Sequence, residues 1–307
     1  MIDVSVIIIN YNTKELTKNC IDSIFEKTSN ITFEVILVDN ASTDGSLELF
    51  AKDNRIIFIK SEKNLGFGRA NNLGYQYAKG KYLFLLNSDT LLLNNAIYEF
   101  YAYMESHSTG IGCVGCELVD EIGASSYSFG TFPNIKFFIG KILANYRIGL
   151  SCLYFPSCSS GKHPIDVDYS SGADMFIPRS VADLCGLFDQ DFFMYFEEVE
   201  MQHRFHEKGF SSQVIDTPKI AHLFGGSGVK KGRKSSAKIS MIELESRYIY
   251  CGKVFSLMKY LLISLLHMVL VPWIILNGCT LKEKKLMLKI ILQGLCSRKK
   301  ASMFFTR

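Results

Sequence analysis

Val4-Ser5-Val6-Ile7-Ile8-Ile9-Asn10 is the stretch that decides the fold. Its apolar run is broken only by Ser5 and does not alternate, which is the pattern of a strand buried on both faces. Outward from it, Lys14–Lys27 places Leu16, Cys20, Ile21, Ile24 and Phe25 at helical spacing. Glu34–Val38 then reads as strand, Gly45–Lys52 as helix, Ile56–Ile59 as strand, Gly68–Tyr77 as helix and Tyr82–Leu86 as strand. This rhythm predicts βαβ units and an α/β, Rossmann-like, mainly parallel sheet flanked by helices. Sheets of this kind bind ligands beyond the carboxyl ends of their strands. Those ends fall on Asn10, Asp39, Ser61 and Asn87.

The composition agrees with a folded chain: 307 residues, 48% apolar and 21% charged, which excludes disorder. The net charge of +4 is unevenly spread. Residues 1–224 hold 18 Lys/Arg against 27 Asp/Glu, and residues 225–307 hold 16 against 3, so a basic tail follows an acidic body. Nine cysteines without framework spacing, and no signal-like core ahead of Val4, read as reduced thiols in the cytosol. Cys113 and Cys116 form a lone C-x-x-C, with no second pair to suggest zinc.

Residues 123–168 are rich in Gly, Ser, Tyr and Phe and are expected to form an irregular insertion or lid. The pattern resumes with Ala173–Ile177 (strand), Arg179–Cys185 (helix), an acidic helix from Glu197 to Lys208 and a strand at Ser212–Ile215. His222 and the basic, glycine-rich loop Gly225–Lys234 follow. Val254–Asn277 is nearly continuous apolar sequence of roughly spanning length. Its two basic flanks go against the positive-inside tendency, so helices lying in an anionic lipid interface are preferred to one span or a buried core helix. The expected division is 1–234 as the main domain and 235–307 as a membrane-associated helical segment. The expected location is the cytoplasmic face of the plasma membrane, peripheral or with one C-terminal membrane segment.

Several motifs sit at the strand ends. In Asp39-Asn40-Ala41-Ser42-Thr43-Asp44-Gly45, Asp39 is placed to bind a nucleotide base or ribose, while Ser42, Thr43 and Asp44 suit a helix cap. Asn64-Leu65-Gly66-Phe67-Gly68-Arg69-Ala70-Asn71-Asn72 offers close backbone approach and a helix N-terminus for phosphate, or simply a turn and cap. Asn87-Ser88-Asp89 is either turn chemistry or a hard oxygen ligand for Mg²⁺ or Mn²⁺. Phe192-Phe193-Met194-Tyr195-Phe196-Glu197-Glu198-Val199-Glu200 brings three carboxylates into a helix behind aromatic residues. The helix dipole alone would favour them there, but a dry carboxylate is also how a general base is built. His222 could complete a metal site, with Lys230, Lys231, Arg233 and Lys234 clamping phosphate.

In this order the motifs resemble glycosyltransferase family 2, particularly its rhamnosyltransferase-like members. Ser171-Gly172-Ala173, Arg204, Gly226 and Ser227 extend the likeness, which covers about residues 4–228. The resemblance implies a GT-A fold, a nucleotide-sugar donor (dTDP-rhamnose or a UDP-sugar), Mg²⁺ or Mn²⁺, and an inverting displacement. It implies a glycan or lipid-linked acceptor of bacterial surface polysaccharide synthesis. By position, donor binding goes to Asn10, Asp39, Asn64, Gly66, Arg69, Asn72 and Ser88, metal binding to Asp89 and His222, and the catalytic base to Glu198. Three features depart from the pattern. Asn87 replaces the first acid of an Asp-x-Asp, Glu198 and Glu200 stand where Asp is usual, and no Gln-x-x-Arg-Trp run marks a processive synthase. The alternative is a non-catalytic, nucleotide-sugar-binding scaffold. Nucleic acid is not expected as a partner, because the basic runs at 230–238 and 282–300 carry no interleaved aromatic residues.

Overall fold

The structure is a computed structural model, and it describes residues 2–107, 109–145, 163–223, 237–274, 280–296 and 302–306. The first half follows the predicted rhythm: β1 (Val4–Asn10), α1 (Lys14–Lys27), β2 (Phe33–Asp39), α2 (Ser46–Phe50), β3 (Ile57–Lys60), α3 (Phe67–Tyr75) and β4 (Tyr82–Asn87). Then come β5 (Thr90–Leu92), α4 (Ala96–His107), β6 (Ile111–Val119), β7 (Phe129–Gly130), α5 (Ile135–Asn145), β8 (Ile165–Val167), β9 (Tyr169–Ser170) and β10 (Asp174–Pro178). The chain continues through α6 (Arg179–Cys185), α7 (Glu197–Glu207) and β11 (Ser211–His222) to α8 (Ala237–Val254), α9 (Leu257–Ile274) and α10 (Leu281–Cys296).

The main sheet has the order β3-β2-β1-β4-β10-β6-β11-β5, with β8 beside β11. Strands β3, β2, β1 and β4 are parallel, β10 runs antiparallel between β4 and β6, and β6 and β11 are parallel. The register aligns Asn10 with Asp39 and Ile9 with Asn87, so the carboxyl ends of β1, β2 and β4 lie side by side.

Alternation within these apolar strands serves two cores. Val6, Ile8, Leu37, Phe84 and Phe176 meet Ile21 and Ile24 of α1 and Phe100 of α4 on one face. Ile7, Ile36, Val38, Leu85 and Met175 meet Ala70 of α3, Val181 of α6 and Met201 of α7 on the other. Phe100 stacks on Phe176 at 5.3 Å, and each such ring, once fully buried, contributes about 2–3 kcal/mol. The C-x-x-C pair lies on β6, where i and i+3 point to opposite faces: Cys113 enters one core and Cys116 the other. The two thiols therefore share neither a disulfide nor a metal.

Two expectations need correction. Residues 123–168 are not wholly irregular, since α5 forms there and Phe138 and Ile142 pack it into a third core with Tyr250 and Ile263. The membrane span expected in the tail needs correction as well. Among the described residues no helix is long and apolar enough to cross a membrane, and the C-terminal span and the location built on it are overturned. The 254–277 run breaks at Phe255-Ser256, and α9 turns Tyr260, Ile263, Ser264 and His267 into the protein, leaving Met258, Leu261, Leu265 and Val269 outside. Residues 275–277 of that run lie outside the described residues.

Asp174 of β10 is wholly buried; one of its oxygens accepts the Cys116 N–H at 2.7 Å, and the other finds no hydrogen-bond partner. Burial pushes its pKa from 3.8 to about 8. The folded chain therefore holds a proton that the unfolded chain releases between those values. Stability should fall by up to about 1.4 kcal/mol per pH unit as pH rises through that window. Asp174→Asn is expected to flatten this slope and exceed the parent in stability above pH ~7, read from denaturant midpoints across pH. An unchanged slope would show that Asp174 is already charged in the fold.

Candidate active site

Asn10 ties the first strand end to the second. Its Nδ2 donates to Asp39 Oδ1 (2.7 Å) and Ser42 Oγ (3.0 Å), while its Oδ1 accepts from the hydroxyls of Thr13 and Thr17 (both 2.9 Å). Ser42 N–H donates to the other Asp39 oxygen at 3.2 Å, so Asp39 is a fixed, buried carboxylate. Beside it, Asn40 accepts from Leu65 N–H (2.8 Å) and donates to Asn64 Oδ1 (3.1 Å), which itself accepts from Gly66 N–H (2.9 Å). Ser61, expected at the end of β3, turns its hydroxyl to Lys63 O at 2.7 Å.

Gly66 has φ +78, and an added Cβ would sit 2.1 Å from Phe193 O. Phe67 N–H donates to that same carbonyl at 2.9 Å. Only glycine permits this contact, which joins the loop before α3 to the loop before α7.

Ser88 and Asp89 follow β4 and line the cleft. Ser88 Oγ lies 3.1 Å from Thr13 Oγ1, and Asp89 Oδ1 lies 3.2 Å from His222 Nε2. The pairing of β5 with β11 sets Thr90 opposite His222 and so produces that second contact.

The acidic helix starts under backbone strain. Tyr195 and Phe196 both have positive φ, 73° and 68°, and Asn12 and Ala41 do too. Of the five such non-glycine residues described, Asn12 and Tyr195 line one cleft and Ala41 and Phe196 directly follow lining residues, the kind of clustering expected at functional sites. Glu197 is 3% exposed and its Oε2 finds no hydrogen-bond partner. Burial first, then the Glu198 charge, pushes its pKa far up. Glu198 is partly exposed and faces Gly172, where a Cβ would lie 3.7 Å from its own Cβ and Cγ. Burial raises its pKa as well, opposed by N–H groups of the helix start. Ala173, next to Gly172, accepts from Asn87 N–H at 2.9 Å, which brings Glu198 to the Asn87–Asp89 end of the cleft. Glu200 is different: Arg204 Nε holds both its oxygens at 2.8 and 3.0 Å, a structural pair.

The resulting cleft has a volume of about 330 Å³. Of the residues assigned from sequence, Asn64, Gly66, Ser88 and Asp89 line it; Asn10 and His222 bond lining Thr13 and Asp89, Asp39 precedes lining Asn40, and Glu198 is not a lining residue, its contact being with Gly172. Arg69 and Asn72 do not line it. Arg69 Nε donates to Gln190 O (2.7 Å), and the Asn72 amide exchanges two hydrogen bonds with the Phe188 backbone. The basic loop, with Lys230, Lys231, Arg233 and Lys234, lies outside the described residues. Thr13, Asn40 and Ile242 are lining residues not singled out for ligand binding from sequence. Asn40 and Thr13 carried a signal, as polar residues just past strand ends, whereas Ile242 lies in the tail and carried none.

Asp89 and His222 offer one carboxylate and one imidazole 3.2 Å apart, a donor set that suits Mn²⁺ or Mg²⁺ with further oxygens from a ligand. Among the described residues no group of three His, Cys, Asp or Glu side chains forms a metal cage.

The sequence model described as "Glycosyl transferase family 2" matches residues 5–154. The low-salt glycan biosynthesis hexosyltransferase Agl10 of Haloferax volcanii is 25% identical over 259 residues, 83% of this chain and 77% of that protein. The UDP-Glc:alpha-D-GlcNAc-diphosphoundecaprenol beta-1,3-glucosyltransferase WfaP of Escherichia coli is 33% identical over 105 residues, 34% of this chain and 41% of that protein. The crystal structure of GalNAc-T7 with UDP, GalNAc and Mn²⁺ shares the fold with a TM-score of 0.62 at 17% identity, covering 94% of this chain and 55% of that one. None of these three is named for rhamnosyl transfer, so the likeness to rhamnosyltransferases has no specific backing.

Gly66→Ala should cost more than about 2 kcal/mol and abolish nucleotide binding, because the new methyl overlaps the Phe193 carbonyl and φ +78 disfavours any side chain. Chemical denaturation and UDP titration check this; wild-type values in both would show that the two loops are not in contact.

The chain thus has the GT-A fold, and its residues 5–154, just under half of its length, match the glycosyltransferase family 2 model.

Proposed function

We propose that the chain transfers a hexosyl group from a UDP-sugar to a hydroxyl of a glycan acceptor, with Glu198 as the base. The observation that carries this reading is the Asp89–His222 pair at one end of a cleft that Glu198 approaches from α7. The hexosyl and UDP assignments come from the printed names of Agl10 and WfaP, and a lipid-linked diphosphate acceptor from that of WfaP alone.

Asp39 and Asn40 lie where a nucleoside would rest, and Ser88 and Asp89 where its diphosphate would end. Asp89 and His222 would hold Mn²⁺ or Mg²⁺, which when bound neutralises charge on the departing diphosphate. The acceptor oxygen forms a bond to the anomeric carbon as the bond to the diphosphate breaks, and the diphosphate leaves with the electron pair. Glu198 accepts the hydroxyl proton. Attack from the face opposite the leaving group inverts the anomeric centre. The aromatic and apolar wall of Phe193, Met194 and Tyr195 limits water at this point, which suppresses hydrolysis.

Because burial raises the Glu198 pKa above its ordinary 4.5, its basic form is lost earlier as pH falls. The acid limb of kcat should therefore lie above that value, and Glu198→Gln should remove the limb and lower kcat by about 10²–10⁴-fold. Turnover of UDP-glucose with Mn²⁺ and a glycan acceptor, followed across pH, measures both. Unchanged turnover in Glu198→Gln would exclude Glu198 as base. A wild-type chain that binds UDP-sugars without transferring them would instead be the scaffold.

A further inference from the structure

The C-terminal helix α8 stands outside the family 2 match, yet one of its faces is built into the cleft. Ile242, Ser246 and Lys253 recur at intervals of four and seven, so they share a stripe along the helix. Ile242 is a wall of the cleft. Ser246, 1% exposed, donates its hydroxyl to Met194 O at 2.7 Å. Lys253 Nζ reaches Asp189 Oδ2 at 2.7 Å and Asp191 Oδ2 at 2.6 Å. Ser302, held by Glu245 of the same helix, donates its N–H to Asp191 O at 2.7 Å. The loop from 189 to 194 is thus gripped at both ends by groups on or carried by α8. The next two residues are the strained Tyr195 and Phe196, and Glu197 and Glu198 follow at once.

We infer that Ser246 is a positioning residue for glycosyl transfer: by fixing the Met194 carbonyl it holds the strained turn that aims Glu198 at the acceptor hydroxyl. Two left-handed, non-glycine residues in succession relax toward ordinary backbone geometry unless both sides of the turn are held. Phe196 is held by packing, with its ring centroid 5.5 Å from that of Tyr250 on α8. Met194 is held from α8 by the Ser246 hydroxyl. Helix α8 therefore belongs to the active site, and its loss would be felt in the chemical step beyond its effect on stability.

The inference rests on Glu198 being the base, and its test separates the two. Ser246→Ala, Ser246→Thr and Tyr248→Phe are compared in the full chain. Tyr248, on the same helix as Ser246, bonds His267 Nδ1 of α9 at 2.6 Å and reports a purely structural loss. In Ser246→Ala, amide hydrogen exchange at residues 194–198 should quicken about tenfold or more, kcat should fall about tenfold, and the acid limb of the kcat–pH profile should move. UDP affinity should hold, and Ser246→Thr should restore all three readouts. Tyr248→Phe should lower the thermal midpoint without changing exchange at 194–198 or the pH profile. Wild-type exchange in Ser246→Ala, or a kcat loss and pH profile matching those of Tyr248→Phe, would overturn the inference. Should the wild type turn over no donor, the glycosyl-transfer reading fails with it. The exchange experiment then stands as the test of the clamp, with slower or unchanged opening in Ser246→Ala refuting it.

Discussion

Between Gly66 and Phe193 two loops approach until backbone meets backbone, with no room for a side chain. One loop belongs to the half of the sheet built from β1 to β4, and the other leads into α7 with its carboxylates. The Phe67 N–H to Phe193 O hydrogen bond sets their separation. Everything the cleft does depends on that spacing. It places Tyr195 and Met194 across from Asn12 and Asn40, and it leaves a space of about 330 Å³ between them. Arg69 and Asn72 reinforce the same joint from α3, through the carbonyls of Gln190 and Phe188. Their contribution runs through position of the loop, which is why a cation beside a glycine-rich turn does not face the cleft here.

Carboxylates around the site meet different fates because burial and partners differ. Glu200 is paired with Arg204, whose Nε donates to both its oxygens, and burial raises its pKa against that pairing. Asp39 is held by Asn10 and Ser42 at a strand end. Glu197 is sealed away with an oxygen that no donor reaches, and so tends to stay protonated beside Glu198. Only Glu198, facing the side-chain-free Gly172, combines a partly exposed carboxylate with a raised proton affinity. Sequence adjacency would have treated Glu197, Glu198 and Glu200 alike; the packing around each separates them.

The first half of the fold was readable because unbroken runs such as Val6-Ile7-Ile8-Ile9 and Tyr82–Leu86 are of strand length and rich in β-branched or aromatic residues, the mark of strands covered on both faces. Strand ends then gave Asn10, Asp39 and Asn87 directly. What escaped was anything set by tertiary contact. Strand β6 hid behind its glycines and cysteines, and the antiparallel course of β10 between β4 and β6 is a matter of tertiary pairing that periodicity does not carry. In the tail, hydropathy registered the many leucines between 257 and 270. It could not show that Ser264 and His267 face a protein core, or that α8 covers the loop before α7. Periodicity says that a helix has a buried face; it does not name the surface that buries it.

The central claim is that one cleft, closed by the Gly66–Phe193 contact, receives a nucleoside diphosphate with its phosphates toward Asp89 and His222. A crystal structure of the chain grown with UDP and Mn²⁺, with anomalous data collected for manganese, tests it most directly. The account predicts the nucleoside beside Asn12 and Asn40 and a manganese peak within bonding distance of Asp89 and His222. Nucleotide density at another surface, or a manganese peak remote from both side chains, would contradict it.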